Sequence, residues 1–284
     1  MKKFFLFLFG IFMVSSCDYN PFFGKDKISN RKISGHVQLD KVEFYPSGYH
    51  EGVLVWIEGL GIKTFTDIDG SFELTLPAAN DISSGGIADG EYTIHFFMGN
   101  YQISILKVKF AAGQVVADPQ VIDIDGTLKR TIILKRIMGL KTTVSPEIIT
   151  SGFDDDIIVA IDLTADRIDL YVKLRKLQDR SETIYTGLLI QNSSTKKLAY
   201  TVNIDSASLD REFIARPSKN FEININYADL NLPKDTYEVI PYIFIEREDI
   251  PAALLSAIGF GYNDFSQNFF QFPFKRSGGK LVIQ

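Results

Sequence analysis

The sequence predicts an all-β protein built from two antiparallel β-sandwiches. Three observations predict it: apolar residues recur at every second position in run after run, Gly, Asp and Pro fall between the runs, and helix chemistry is confined to one short stretch. A chain of 284 residues, 45% of them hydrophobic, can bury two cores without disulfides or metals. Its single cysteine, Cys17, removes an internal disulfide and a thiolate zinc site from consideration. The formal net charge is -5 and no basic stripe is present, so nucleic acid is not an expected partner.

The order begins with Lys2 and Lys3, an apolar run from Phe4 to Val14, and then Ser15, Ser16 and Cys17. A charged start, a short apolar middle and small residues are the parts of an export signal. The run is too short for the roughly 20 residues that cross a bilayer as a helix. Val14-Ser15-Ser16-Cys17 reads aliphatic, small, small, cysteine, and resembles the lipobox of bacterial lipoprotein signal peptides. That resemblance implies a signal over residues 1–16, lipid on the Cys17 sulfur, and a membrane-anchored place in the cell envelope, with the outer membrane as the expected site. Residues 17–30 hold Pro21 and Gly24 without a sustained period and are expected to be a tether.

The first domain is expected over residues 31–137. Ile33, Val37 and Leu39 share one strand face, while Ser34, His36 and Gln38 share the other, so His36 points away from the core. Val53 to Ile57, Lys63 to Thr66, and Phe72, Leu74 and Leu76 continue the alternation, with Asp69-Gly70 and Pro77 as turn chemistry. Further strands are expected at Tyr92 to Phe97, Gln102 to Phe110, Gln120 to Ile124 and Leu128 to Ile133. The order Gly35-His36-Val37, Thr64-Phe65-Thr66-Asp67-Ile68-Asp69-Gly70-Ser71-Phe72, Gly90-Glu91-Tyr92 and Gly99-Asn100-Tyr101 resembles the carboxypeptidase regulatory-like domain. The resemblance implies a transthyretin-like sandwich of about seven strands that serves as a structural and binding module without catalytic groups. Asn100, the insert Asp40 to Glu51, and the loop Asp81 to Asp89 depart from that family's pattern.

The second domain is expected over residues 138–284. Ile157, Val159, Ile161 and Leu163 alternate with Ile158, Ala160 and Asp162, and Ile168 to Leu174, Tyr200 to Ile204 and Phe221 to Tyr227 repeat the period. A long strand is expected from Asp235 to Ile245. The pattern reads as an immunoglobulin-like sandwich lacking the cysteine-tryptophan-cysteine hallmark. Pro251 and Gly259 bracket strong helix formers, which predicts a short helix over about residues 250–258. The aromatics Phe260, Tyr262, Phe265, Phe269, Phe270, Phe272 and Phe274 follow. They suit either a final strand buried between sheets or, with Leu254, an apolar surface for a partner.

Catalytic patterns are missing: there is no G-x-S-x-G, no H-E-x-x-H and no P-loop. The three histidines have no ligand spacing, and no cofactor or resident metal is expected. Asp67-Ile68-Asp69-Gly70 and Asp123-Ile124-Asp125-Gly126 share features with calcium loops, but Phe65 and Val121 stand where a further acid is needed, which favours plain turns. In the insert, Tyr45, Tyr49 and His50 are the candidate ligand-binding residues, since aromatic faces can stack on sugars. The expected function is a non-catalytic, lipid-anchored module that binds or scaffolds another envelope protein through loops or the aromatic region. Capture of a polysaccharide through the insert is the alternative, and a hydrolase using paired acids is the third.

Overall fold

The computed structural model describes residues 32–42, 49–77, 87–179, 182–259 and 264–284. Cys17, the tether, Tyr45, Phe260 and Tyr262 lie outside the described residues. The first set of strands is β1 (Lys32–Leu39), β2 (Leu54–Ile57), β3 (Ile62–Phe65), β4 (Ser71–Thr75), β5 (Gly90–Phe97), β6 (Ser104–Ala111), β7 (Gln114–Val115) and β8 (Ile132–Leu134). They form two sheets, ordered β4-β1-β8 and β3-β2-β5-β6-β7. Between the sheets lies a core that includes Ile33, Val37, Phe72, Val55, Ile57 and Phe96, with the Phe72 and Phe96 rings edge to face at 5.7 Å. β1 carries the predicted parity, with Ile33, Val37 and Leu39 buried and His36 exposed.

The later strands are β9 (Met138–Ser145), β10 (Ile148–Ile149), β11 (Asp156–Ala165), β12 (Leu170–Asp179), β13 (Glu182–Thr186), β14 (Leu188–Asn192), β15 (Leu198–Val202), β16 (Ser208–Ile214), β17 (Ser218–Asn226), β18 (Asp235–Pro241) and β19 (Phe244–Ile245). Helix α1 (Ala252–Ile258), β20 (Ser277–Gly278) and β21 (Lys280–Ile283) complete the order. Three sheets result: β17-β11-β9-β20, β10-β21-β18-β14-β15, and β13-β12-β16 with β19 on β12. The inward residues of β11 (Ile157, Val159, Ile161), β12 (Val172, Leu174), β14 and β18 share a second core. The fold is all-β with one α-helix among the described residues, and that helix is too short to cross a membrane.

Four local expectations are corrected. Gln120 to Ile124 is not a strand, because the Asp123 carboxylate accepts the amides of Asp125 and Thr127 and closes a turn, leaving only isolated bridges at Ile122. The long strand from Asp235 breaks after Pro241: Tyr242 N–H donates to Gly187 O, and Phe244 and Ile245 cross to β12 in another sheet. The aromatic run holds a 3-10 turn over Gln267–Gln271 rather than a strand, and the final strand is β21. Pairings β1–β8, β10–β21 and β9–β20 are parallel, while the other strand pairings among the described residues are antiparallel.

Residues of β2 serve two cores. Val55 and Ile57 face the first, whereas Leu54 and Trp56, together with Phe97 of β5, join the second. The sheet β3-β2-β5-β6-β7 is thus covered on both faces here, and all four residues of β2 are buried.

Candidate functional site

The seam between the two cores is built around Gly99-Asn100-Tyr101. Gly99 N–H donates to Pro273 O at 2.6 Å, and a Cβ on Gly99 would stand 2.5 Å from Cε1 of Phe272, so only glycine fits. Asn100 is 1% exposed and its carboxamide acts as a peptide group would. Nδ2 donates to Met138 O (2.9 Å) and Lys275 O (3.0 Å), and Oδ1 accepts from Lys275 N–H (2.9 Å). Arg247, its side chain 2% exposed, donates to Gly99 O (3.1 Å) and Tyr101 O (2.6 Å) while its other nitrogens grip Asp249. Backbone and side chain therefore fix Lys275, from the aromatic run, against the end of β5.

A cleft of about 650 Å³ opens at this seam. Tyr49, Glu51, Phe65, Glu238, Phe270 and Lys275 are among its walls. Lys275 Nζ lies 3.7 Å from the centroid of the Tyr49 ring and 3.3 Å from Glu51 O. Burial pushes the Lys275 ammonium down to about 8, and the Glu51 carboxylate opposes that only in part. Tyr49 is pushed up, first by burial, then by its hydrogen bond to Glu51 and the charges of Glu51 and Glu238. Phe65 is 47% exposed and presents its ring to the cleft.

Of the predicted residues, Tyr49 belongs to this cleft. His50 adjoins it but is occupied: its Nδ1 accepts from Leu39 N–H at 3.2 Å. Burial lowers its pKa, the Lys275 charge lowers it further, and Asp69 opposes. Because the neutral ring is favoured in the fold, His50 contributes stability above its unfolded pKa of about 6.5 that is lost as pH falls through the lower folded value. Urea midpoints taken between about pH 7.5 and 5 should therefore drop more steeply for the native chain than for His50→Ala. Parallel curves would sink the assignment.

Leu254 is removed as a partner residue, since it is 0% exposed on the inner face of α1. Phe269, Phe272 and Phe274 are buried too, consumed by the seam, where Phe97 and Phe272 meet edge to face at 5.7 Å. Phe265 is half-buried against Tyr242 at 5.0 Å. His95 is buried, holds Glu58 at 3.0 Å and packs on Trp56.

The two Asp-x-Asp-Gly segments are matched turns that hold β1. Gly70 O accepts from Val37 N–H and Gly126 O from Ser34 N–H, and a Cβ on either glycine would stand 2.0 Å from a β1 carbonyl oxygen. Asp69 and Asp123 spend their carboxylates on amides and hydroxyls of the same turns. Among the described residues no group of three or more His, Cys, Asp or Glu is placed to hold a metal ion. In a second hollow, about 390 Å³, Arg211 lies over the Tyr171 ring at 3.6 Å and is paired to Glu246.

Sequence reasoning missed Glu51, Phe65, Glu238 and Lys275. Phe65 carried a signal, because it shares strand parity with Lys63 and so faces outward. Lys275 carried none in its neighbourhood.

No protein-family model and no curated protein matches the chain. Among solved structures, a chain of a type II cohesin-X-dockerin complex from Acetivibrio cellulolyticus, a C-terminal interface mutant, is similar at 22% identity with a TM-score of 0.23. The likeness covers 37% of this chain and 56% of that one, and is too small to carry a functional assignment.

Proposed function

We propose that the chain is a lipid-anchored, non-catalytic binding module of the bacterial cell envelope whose seam cleft takes a saccharide chain. The observation that carries this is the cleft itself, which combines ring surface from Tyr49, Phe65 and Phe270 with the hydroxyl-binding carboxylates Glu51 and Glu238. Rings stack on the apolar faces of sugars and carboxylates accept from their hydroxyls. The resemblance of the first strands to a carboxypeptidase regulatory-like domain supports a binding role, and the lipobox resemblance supports attachment to an envelope membrane through Cys17. Scaffolding of an envelope protein through the aromatic run has less surface to work with, since Leu254, Phe269, Phe272 and Phe274 are internal.

Both halves of the reading are tested on the full chain expressed in a bacterial envelope. Acyl labelling should be present and should vanish in Cys17→Ala. Detergent-solubilised chain should bind at least one member of a broad oligosaccharide panel saturably, and Tyr49→Ala should weaken that binding by about tenfold, equivalent to ~1.4 kcal/mol. Labelling that survives Cys17→Ala removes the anchor. Failure to bind across the panel removes the saccharide.

A further inference from the structure

The backbone edge of β1 changes partner along its length. Residues Lys32 to His36 pair with β4, and Val37 N–H donates to Gly70 O at 2.8 Å in the turn before it. The next donor on that side, Leu39 N–H, finds the Nδ1 of His50 at 3.2 Å. An imidazole nitrogen therefore stands where a strand would place a carbonyl oxygen. Leu39 is 1% exposed, so water offers its amide no ready alternative. Because a backbone N–H can only donate, the tautomer is fixed, with the lone pair on Nδ1 and the proton on Nε2. In the chain His50 stands between two walls of the cleft, Tyr49 and Glu51. Its backbone is tied to the β3–β4 side, donating to Ile68 O at 2.8 Å and accepting from Thr66 Oγ1 at 2.7 Å. Its ring, and not its backbone, reaches β1.

The geometry points to His50 as a proton-operated latch on the cleft: the neutral ring ties the segment carrying Tyr49 and Glu51 to β1, and protonation releases it. This rests on the reading that the cleft binds a saccharide, and names the regulation of that site, which is capture near neutrality and release in acid. A proton on Nδ1 sets two donors face to face, and the buried Leu39 amide loses its acceptor. The new charge is repelled by the Lys275 ammonium and attracted by Asp69 in the turn before β4, so the ring has both a push and a second partner. The groups facing the ring are Tyr49 and Glu51 on its own segment, Asp69 of the turn, Lys275 of the segment before β20, and His36 of β1 beside Asp69. Lys275, at about 8, and Tyr49, pushed up, change charge above neutrality, and Asp69 is held below the ordinary carboxylate range. The latch is therefore engaged near neutrality and lost as pH falls through the lowered folded pKa of His50.

The test follows two reporters in the full chain between about pH 7 and 5. One is the hydrogen-exchange protection of the Leu39 amide, corrected for intrinsic exchange, and the other is the fluorine NMR resonance of para-fluorophenylalanine placed at position 49. Leu39 protection should fall by about tenfold, the effect of one lost hydrogen bond, and the fluorine signal should move in step with it. His50→Asn is the control, because the asparagine Oδ1 lies as many bonds from Cβ as the histidine Nδ1 and accepts without titrating. Both reporters should keep their neutral-pH values in that variant, whose fold is checked by a thermal melt. His36 is retained throughout, so its own contribution cancels. Any neutral oligosaccharide of the panel bound at pH 7 should bind the native chain about tenfold more weakly at pH 5, and His50→Asn equally at both. Leu39 protection that falls alike in the two proteins, or a fluorine signal that ignores the titration, overturns the latch and leaves the saccharide reading standing. No sugar bound at pH 7 overturns the saccharide reading and the regulatory role with it, whatever the reporters do.

Discussion

Asn100→Ala is expected to lower the unfolding free energy by about 3 to 5 kcal/mol, read as a shift of the urea midpoint at unchanged slope. The carboxamide makes three hydrogen bonds to backbone groups of two distant segments, at Met138 and Lys275, and the residue is 1% exposed. Truncation leaves two carbonyl oxygens and one amide N–H without that partner, and each buried orphan costs about 1 to 3 kcal/mol. Asn100→Asp should be no milder: a carboxylate can still accept from Lys275 N–H but confronts the Met138 and Lys275 oxygens with a third acceptor. A loss under about 1 kcal/mol in Asn100→Ala would show that water replaces the amide and that the seam is not held here. Tyr49 and Lys275 meet across this seam, so the proposed saccharide binding should fall with stability.

Asn100 also marks where sequence reasoning stops. Strands with one buried face were legible, as in β11, where alternation places Ile157, Val159, Ile161 and Leu163 inward. β2 was misread as alternating, although Val53-Leu54-Val55-Trp56-Ile57 is apolar without interruption, and such a run belongs to a strand covered on both sides. The segment around Ile122 has the right alternation and the wrong geometry, because one carboxylate offers its amides a closer partner than a neighbouring strand. Tyr49 was legible as an aromatic in an insert. Lys275 was not, since its environment is made by Glu51, 224 residues away in sequence, and no local pattern encodes a contact of that separation.

Asp166→Ala is expected to cost about 3 kcal/mol and to remove part of the protein's acid sensitivity. Asp166 accepts from Nε of Arg136 and from Nζ of Lys41, both at 2.6 Å, and the Arg136 side chain is 4% exposed where the chain passes from β8 into β9. Removing the carboxylate leaves a buried guanidinium stripped of that counter-charge, which is far costlier than losing an exposed pair. Burial alone would raise the Asp166 carboxyl, but the hydrogen bonds and charges of Arg136 and Lys41 outweigh it and hold it below the ordinary range. A depressed carboxyl stabilises the fold above its unfolded pKa, about 3.9, and that stability is lost as pH falls through the lower folded value. Stability measured from about pH 6 down to 2.5 should fall less in Asp166→Ala than in the native chain. The double change Arg136→Met with Asp166→Leu separates charge from packing: it should recover most of the loss, because apolar side chains leave no ion buried. If the double variant is no better than Asp166→Ala, the stranded guanidinium is not what destabilises the single variant, and the junction depends on the shape of these side chains.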